Sequence, residues 1–463
     1  MHKRNIIPAI LIILSSLLYS CANELPPPGG DEDTTPPVVI NISPKPNSVN
    51  FSGNSIRIEF DEYIDRRSFQ DALFISPKPK SDIEINYGGK DVEIVFTDGL
   101  EANKTYTVYI GKELKDVRRG NKLNEPIQFA FSTGPVIDKG KLFGKVYSEE
   151  YAGVVILAYK LHGSDEPDPK TQIADFISQV NTNGEYSFLN LPDGKYRLFA
   201  LKDDDRNLLF NGEFDDIYMT SADYVVSDLD EVKGVDFLME EFAPEIGSAD
   251  FLSLLTPDTA KYIYTSISSS KSEIPPDYTF YFYLPNNKLT RSEITGSVLV
   301  KDTASGEIYK PVFNWLNDSL FEMFFVDKFR FGSTVQIDFD LENTSLKYFY
   351  RLVFKILDQS SIGKVNGNVK GVPEAGNQVV VRLYNNNNKF INYFTRVNGN
   401  ANFNFPSVAE GIYTMFAFID KDDDGRYFGG ELKPFKPAER FIVYSTDLKV
   451  RGTWSVDNVF LTF

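Results

Sequence analysis

The stretch DKDDDGRYFGGE, running from Asp420 to Glu431, fits the pattern D-x-D-x-D-G-x5-E letter for letter. Carboxylates at its first, third and fifth positions, a glycine at the sixth and a glutamate at the twelfth form an all-oxygen set suited to a hard cation. The expected Ca²⁺ ligands are Asp420, Asp422, Asp424, the Arg426 carbonyl and Glu431. A partial copy lies earlier, where Asp203, Asp205 and Asn207 keep the first three oxygen positions and Glu213 falls in place after a one-residue gap. Leu208 stands there in place of Gly425. Both stretches follow strand-like segments ending at Ala200 and Ala417, without amphipathic helices on either side. A helix-opening calcium sensor is thereby excluded. Two readings stay open, a structural Ca²⁺ site in a β setting and Asp/Asn turns whose side chains accept their own backbone N–H groups.

Other chemistry is poorly supplied. The chain has two histidines, His2 and His162, and one cysteine, Cys21. His162 lies in the polar segment Leu161-His-Gly-Ser-Asp-Glu-Pro167, and there is no G-x-S-x-G, so a Ser-His or Cys-His device has no parts. Zinc lacks a ligand set, and no Gly-rich phosphate loop is present. Asp61, Glu62 and Asp65 form an acidic group that reads as a polar turn after a strand. The expectation is a protein that is not an enzyme.

The elements holding these residues read as strands. Ser55–Phe60, Val92–Phe96, Tyr106–Ile110 and Phe129–Phe131 alternate apolar and polar residues, with Gly, Asn, Asp and Pro between them. Aromatic residues make up 14% of the chain, which suits half-buried pleated surfaces. The fold class expected is all-β, as tandem β-sandwiches.

At the N-terminus, Met1-His-Lys-Arg4 precedes an apolar run from Ile6 to Leu18 and then Tyr19-Ser20-Cys21. The run is too short to span a bilayer and reads as a secretion signal. Leu18 and Ser20 before the lone cysteine resemble a lipobox, which implies cleavage after residue 20 and diacylglycerol on Cys21. Ala22 after that cysteine resembles the outer-membrane sorting of Gram-negative lipoproteins, with the leaflet left open. Residues 21–35 are a Pro/Gly-rich tether, and the membrane is reached through the lipid anchor alone. The full chain carries a formal charge of −17, and removing Lys3 and Arg4 leaves 46 basic against 65 acidic residues, or −19. That sign disfavours nucleic acid as a partner.

Residues 36–135 resemble a bacterial Ig-like domain of the S-layer type, through Pro36-Pro-Val38, Asn41-Ile-Ser-Pro44, Ile58–Asp65, Leu100–Tyr106 and Phe129–Thr133. Residues 140–245 resemble the transthyretin-like fold of carboxypeptidase regulatory domains, through Gly140-Lys-Leu-Phe-Gly144, Asn183-Gly184 and Gly194-Lys-Tyr196-Arg-Leu-Phe-Ala200. The chain then repeats itself. Gly363-Lys-Val-Asn-Gly367, Asn398-Gly399 and Gly411-Ile-Tyr413-Thr-Met-Phe-Ala417 answer the same three motifs, so residues 362–463 form a second module of that kind. Between them, Tyr278–Phe282 and Phe329–Ile337 follow the Ig-like pattern faintly, which makes 246–360 a diverged second Ig-like domain.

The resemblances imply a Bacteroidota lipoprotein that binds rather than catalyses. The expected role is a scaffold or accessory subunit for an outer-membrane barrel or envelope assembly, with a surface glycan-binding or adhesion role as the alternative.

Overall fold

The computed structural model describes residues 33–463 apart from 165, 240, 241, 243, 268–271, 286–288 and 374–376. The signal segment, Cys21 and the tether up to residue 32 lie outside the described residues. The chain is all-β, built as tandem sandwiches with a few short helices. Among the described residues, no helix is long and apolar enough to cross a membrane. The chain forms two compact units, up to residue 137 and from 138 onward.

The first unit pairs a four-stranded sheet, in the order Val39–Ser43, Ser55–Phe60, Asp91–Phe96, Ile83–Gly88, with a three-stranded one, Leu73–Ser76, Thr105–Ile110, Ile127–Ser132. Strict alternation sends Ile56, Ile58 and Phe60 inward beside Val92, Ile94 and Phe96, where they meet Tyr106, Val108 and Phe131 of the facing sheet. The acidic group sits at the edge of this core and holds backbone. Asp61 Oδ1 accepts the Val38 N–H at 2.7 Å, and Asp65 caps the short helix Arg66–Ala72 by accepting Ser68 N–H at 2.7 Å.

The second unit contains three sandwiches. Its first sandwich has the order Phe176–Gln179, Val154–Leu161, Gly194–Lys202, Asp216–Met219, with Tyr224–Val226 also paired to Gly194–Lys202. The facing sheet centres on Gly140–Tyr147, flanked by Glu185–Leu191 antiparallel and by Glu231–Val232 and Phe237–Leu238 parallel. Its last sandwich repeats the arrangement: Asn392–Asn398, Gln378–Asn385, Gly411–Asp420, Phe441–Val443, with Leu448–Val450 on Gly411–Asp420, faces Asn402–Ala409, Ile362–Lys370 and the parallel Ser455–Thr462. The paired glycines of the repeated motif have one physical cause. A Cβ at Gly144 would overlap the Val235 carbonyl oxygen, and one at Gly367 would overlap that of Val459. In both copies the neighbouring backbone lies too close for a side chain, at Val235 just before Phe237–Leu238 and at Val459 within Ser455–Thr462.

The middle sandwich repeats the order of the first unit. Tyr264–Thr265, Phe280–Tyr283, Leu320–Phe325 and Pro311–Trp315 form one sheet, extended by Thr256–Pro257. The other sheet runs Val298–Asp302, Thr334–Leu341, Tyr348–Ile356, with Ile308–Tyr309 and Glu273–Ile274 at its edges. A short helix, Arg291–Gly296, precedes Val298–Asp302 just as Arg66–Ala72 precedes Leu73–Ser76. Its Thr290–Glu293 capping box satisfies the first turn. Phe280, Phe282, Phe321, Phe339 and Phe354 fill the core. Each ring removed from water contributes roughly 1.5–3 kcal/mol.

The three sandwiches of the second unit share apolar surface. Phe390 and Ile391 of the last sandwich pack onto the middle core. The loop 421–440 of the last sandwich crosses to the outer face of the first, where Ala438 is buried among Val155, Leu157, Phe199 and Leu201 and donates its N–H to Thr220 O at 3.1 Å.

Candidate acidic loop sites

Both acidic loops grow from the same place, the end of the long central strand of a sandwich. Asp203 follows Gly194–Lys202, and Asp420 closes Gly411–Asp420. Each loop then turns through two left-handed residues, Arg206 and Leu208 in one copy, Asp423 and Gly425 in the other. Gly425 adopts this conformation without the steric penalty that Leu208 bears.

In the earlier loop the buried carboxylates are fully engaged by backbone. Asp203 Oδ1 and Oδ2 accept the N–H groups of Asn207 and Leu208 at 3.1 and 3.0 Å. Asp215 Oδ1 and Oδ2 accept those of Asp204 and Asn211 at 3.0 and 2.8 Å. Asp205 Oδ1 and Oδ2 accept from the Asn207 N–H and its side-chain amide, and Asn207 Oδ1 accepts Leu209 N–H. Oxygens of Asp203, Asp205 and Asp215 lie within 4.8 Å of one another. Burial raises the Asp203 carboxyl above its ordinary value, against the two N–H bonds that favour its charge. Glu213 is exposed and does not join the group.

In the later loop, oxygens of Asp420, Asp422 and Glu439 lie within 4.8 Å of one another. Asp420 is 4% exposed and Glu439 is 2% exposed. Glu439 Oε1 accepts Lys421 N–H at 2.7 Å and Oε2 accepts Phe428 N–H at 3.0 Å. Asp420 Oδ2 accepts Gly425 N–H at 2.9 Å, whereas its buried Oδ1 has no hydrogen-bond partner. Burial raises the Glu439 carboxyl, and the neighbouring Asp420 and Asp422 push it the same way.

The ligand set read from the sequence is therefore redrawn. Asp420 and Asp422 come together, and Asp203 and Asp205 do so in the other copy. Glu431 does not join them, because it forms a two-way backbone bridge with Lys436 and its Oε2 meets the Lys436 ammonium at 2.5 Å. Asp424 turns instead to the Arg426 N–H at 2.6 Å, and Arg426 is exposed. The closing acids are Glu439 and Asp215, each just before the strand that returns to the sheet and each accepting the N–H after the loop's first aspartate. Aligning the copies on that return strand, rather than on a twelve-residue ruler, is the signal that finds them.

The later loop also carries a contact surface. Lys433 Nζ meets Asp168 Oδ2 at 2.5 Å, and Phe435 packs edge-on against Phe199. A separate cleft of about 380 Å³ lies between the middle and last sandwiches, lined by Ser266, Ile274, Asn387, Asn388 and Phe390 among others. Glu273 on its wall is paired with Lys355 at 3.2 Å. His162 is exposed in its loop and belongs to neither carboxylate group.

Residues 33–133 match the bacterial Ig-like domain. No curated protein matches the chain. Among solved structures, the chain is similar to an L,D-transpeptidase from Mycobacterium smegmatis at 18% identity, over 29% of this chain and 58% of that one, with a TM-score of 0.17. It is similar to the N-terminal part of the bacterial S-layer protein SbsC at 15% identity, over 40% and 44% of the two chains, with a TM-score of 0.17. The major pilin subunit of Bacillus cereus is similar at 12% identity, over 70% of this chain and 99% of the pilin, also with a TM-score of 0.17. The chain thus covers less than two thirds of the transpeptidase and of the S-layer fragment.

Proposed function

We propose that this chain is a non-catalytic lipoprotein of a Bacteroidota-like outer membrane. Cys21 carries the diacylglycerol, and the β-sandwiches serve as a scaffold or accessory subunit for an outer-membrane barrel or envelope assembly. In this reading, residues 36–135 and 246–360 are Ig-like domains, and 140–245 and 362–463 are transthyretin-like ones. The first of the four is supported by the family match over 33–133. The equal strand orders within each pair support the rest.

One observation carries the non-catalytic reading. The buried carboxylates of Asp116, Asp203, Asp215, Asp258, Asp302, Asp420 and Glu439 all accept backbone N–H bonds, and Asp338 is held by Arg351; of these Asp420 keeps one oxygen without a partner, and that oxygen is buried. Acids placed for chemistry keep an oxygen toward a cleft. These hold loops, which leaves the outer surface as the working part of the molecule.

Affinity purification of the tagged protein from gently solubilised membranes tests the proposal, with bound proteins identified by mass spectrometry. A stoichiometric barrel partner, lost in the Cys21→Ser variant, is the expected result. Recovery of the protein alone would remove the scaffold role. The second reading, surface glycan binding, is favoured by the cleft beside Asn387, Asn388 and Phe390, where side-chain amides border an aromatic ring. Binding on a glycan array that is lost in Phe390→Ala would move the assignment there.

A further inference from the structure

We propose that Asp420, Asp422 and Glu439 bind a calcium ion that fastens the loop joining the two small sandwiches of the second unit. Three carboxylate oxygens lie within 4.8 Å of one another, two of them on side chains withdrawn from water. Among the described residues, no lysine or arginine lies within 4.0 Å of any of the three carboxylates. The nearby arginines are engaged on the outer side of the loop: Arg382 donates to the Gly425 carbonyl at 2.6 Å, and Arg396 meets Asp423 at 3.6 Å. Buried negative charge without a counter-ion is strongly unfavourable, and either a proton or a cation relieves it.

The buried, unpartnered Oδ1 of Asp420 favours the cation. A proton shared within the group would give that oxygen a hydrogen-bond partner, whereas the N–H groups of Gly425, Lys421 and Phe428 are directed to Asp420 Oδ2 and to the two oxygens of Glu439, and those of Asp424 and Arg426 to Asp422 and Asp424. The earlier loop is the internal control. It has the same backbone turn and a matching trio, yet all four oxygens of its buried Asp203 and Asp215 accept backbone N–H groups. Besides Glu439 for Asp215 and Asp424 for Asn207, the copies differ in one unfilled oxygen and in Gly425, which lets the turn form without strain. An all-oxygen, irregular set with an exposed member, Asp422, suits Ca²⁺ and its flexible coordination better than the strict octahedron of Mg²⁺.

The position of the site gives the ion its consequence. Glu439 adjoins Ala438, which is buried on the first sandwich, and the same loop presents Lys433 and Phe435 to Asp168 and Phe199. An ion at the base of the loop holds its two ends together while its middle bridges the sandwiches.

The test uses the full-length protein, stripped with a chelator and titrated with CaCl₂ by calorimetry and by melting temperature. A site that binds only the folded state raises the melting temperature with ligand concentration. Uptake of one ion with a saturating rise in melting temperature is expected. The Asp422→Asn variant, altered at an exposed side chain so that folding is retained, should need at least about tenfold more calcium, the loss of one charged ligand being about 1.4 kcal/mol or more. Asp205→Asn should leave the response unchanged. Absence of heat and of any melting shift up to roughly 10 mM calcium, beyond the weakest extracellular calcium modules, would overturn the proposal. A response that survives Asp422→Asn, or that disappears with Asp205→Asn, would overturn it equally.

Discussion

The guanidinium carbon of Arg197 lies 3.6 Å from the ring centre of Phe435, although the two residues belong to different sandwiches. Arg197 is 8% exposed and is gripped from the other side by Asp223, with Nε and Nη2 donating to its two oxygens at 2.8 and 3.1 Å. The ring closes over a charge that is already neutralised, so it adds apolar burial and a cation–π contact without stranding an ion. Phe435→Ala should lower stability by about 1–3 kcal/mol. Asp223→Ala should cost about 3 kcal/mol or more, because the buried Arg197 then keeps only the exposed Glu166, 3.3 Å from its Nη1, as a partner. Urea unfolding of both variants checks the order, and a larger loss for Phe435→Ala would contradict it.

Acid should loosen the same interface. Burial pushes the Asp223 carboxyl up, but the bonds from Arg197 and Lys195 outweigh it and leave it below its ordinary value. Asp168 is also held low, chiefly by its bond from Lys433. A carboxyl with a folded pKa below its unfolded value stabilises the fold above that unfolded value, near 3.9, and loses the contribution as pH falls through the folded value. The wild type should therefore lose more stability between about pH 5 and pH 2 than Asp223→Asn does. Melting temperatures across that range decide it, and parallel curves would count against the assignment.

The repeated glycines give a sharper test. Gly144→Ala and Gly367→Ala both place a methyl group inside the van der Waals radius of a backbone carbonyl, Val235 O or Val459 O. Each should cost more than about 3 kcal/mol, since backbone rather than a flexible side-chain tip must move. Soluble yield and chemical denaturation read this out.

Gly296 behaves in the opposite sense. It ends the helix Arg291–Gly296, and open space surrounds the position that a methyl group there would take. Gly296→Ala should stabilise the protein by up to about 1 kcal/mol through helix propensity and a less flexible unfolded chain. An unchanged or lowered melting temperature would show that the helix end needs glycine for another reason.

Strands announced themselves where one face is buried and the other wet, as in Ser55–Phe60, where every second side chain is inside. Val154–Ala158 is apolar throughout instead of alternating, because its outer face is covered by a loop from a distant part of the chain. The first two acids of each loop were legible because they stand at fixed spacing from the strand that carries them. The closing acid was not, because residues 426–438 bulge outward to reach another sandwich, and a fixed-length pattern selected Glu431 over Glu439. Nothing local in Lys433, Phe435 or Ala438 signals that their partners are Asp168, Arg197 and Leu157.

The covering loop also sets an order of events during synthesis. Val155, Leu157, Phe199 and Leu201 leave the ribosome long before Phe435 and Ala438. Until those last residues arrive, the first small sandwich presents an uncovered apolar sheet face, the kind of surface that drives association between nascent chains. That interval closes only when residues 435–438 emerge and fold back, so this face of the earlier copy stays open to association far longer than its own residues take to be made.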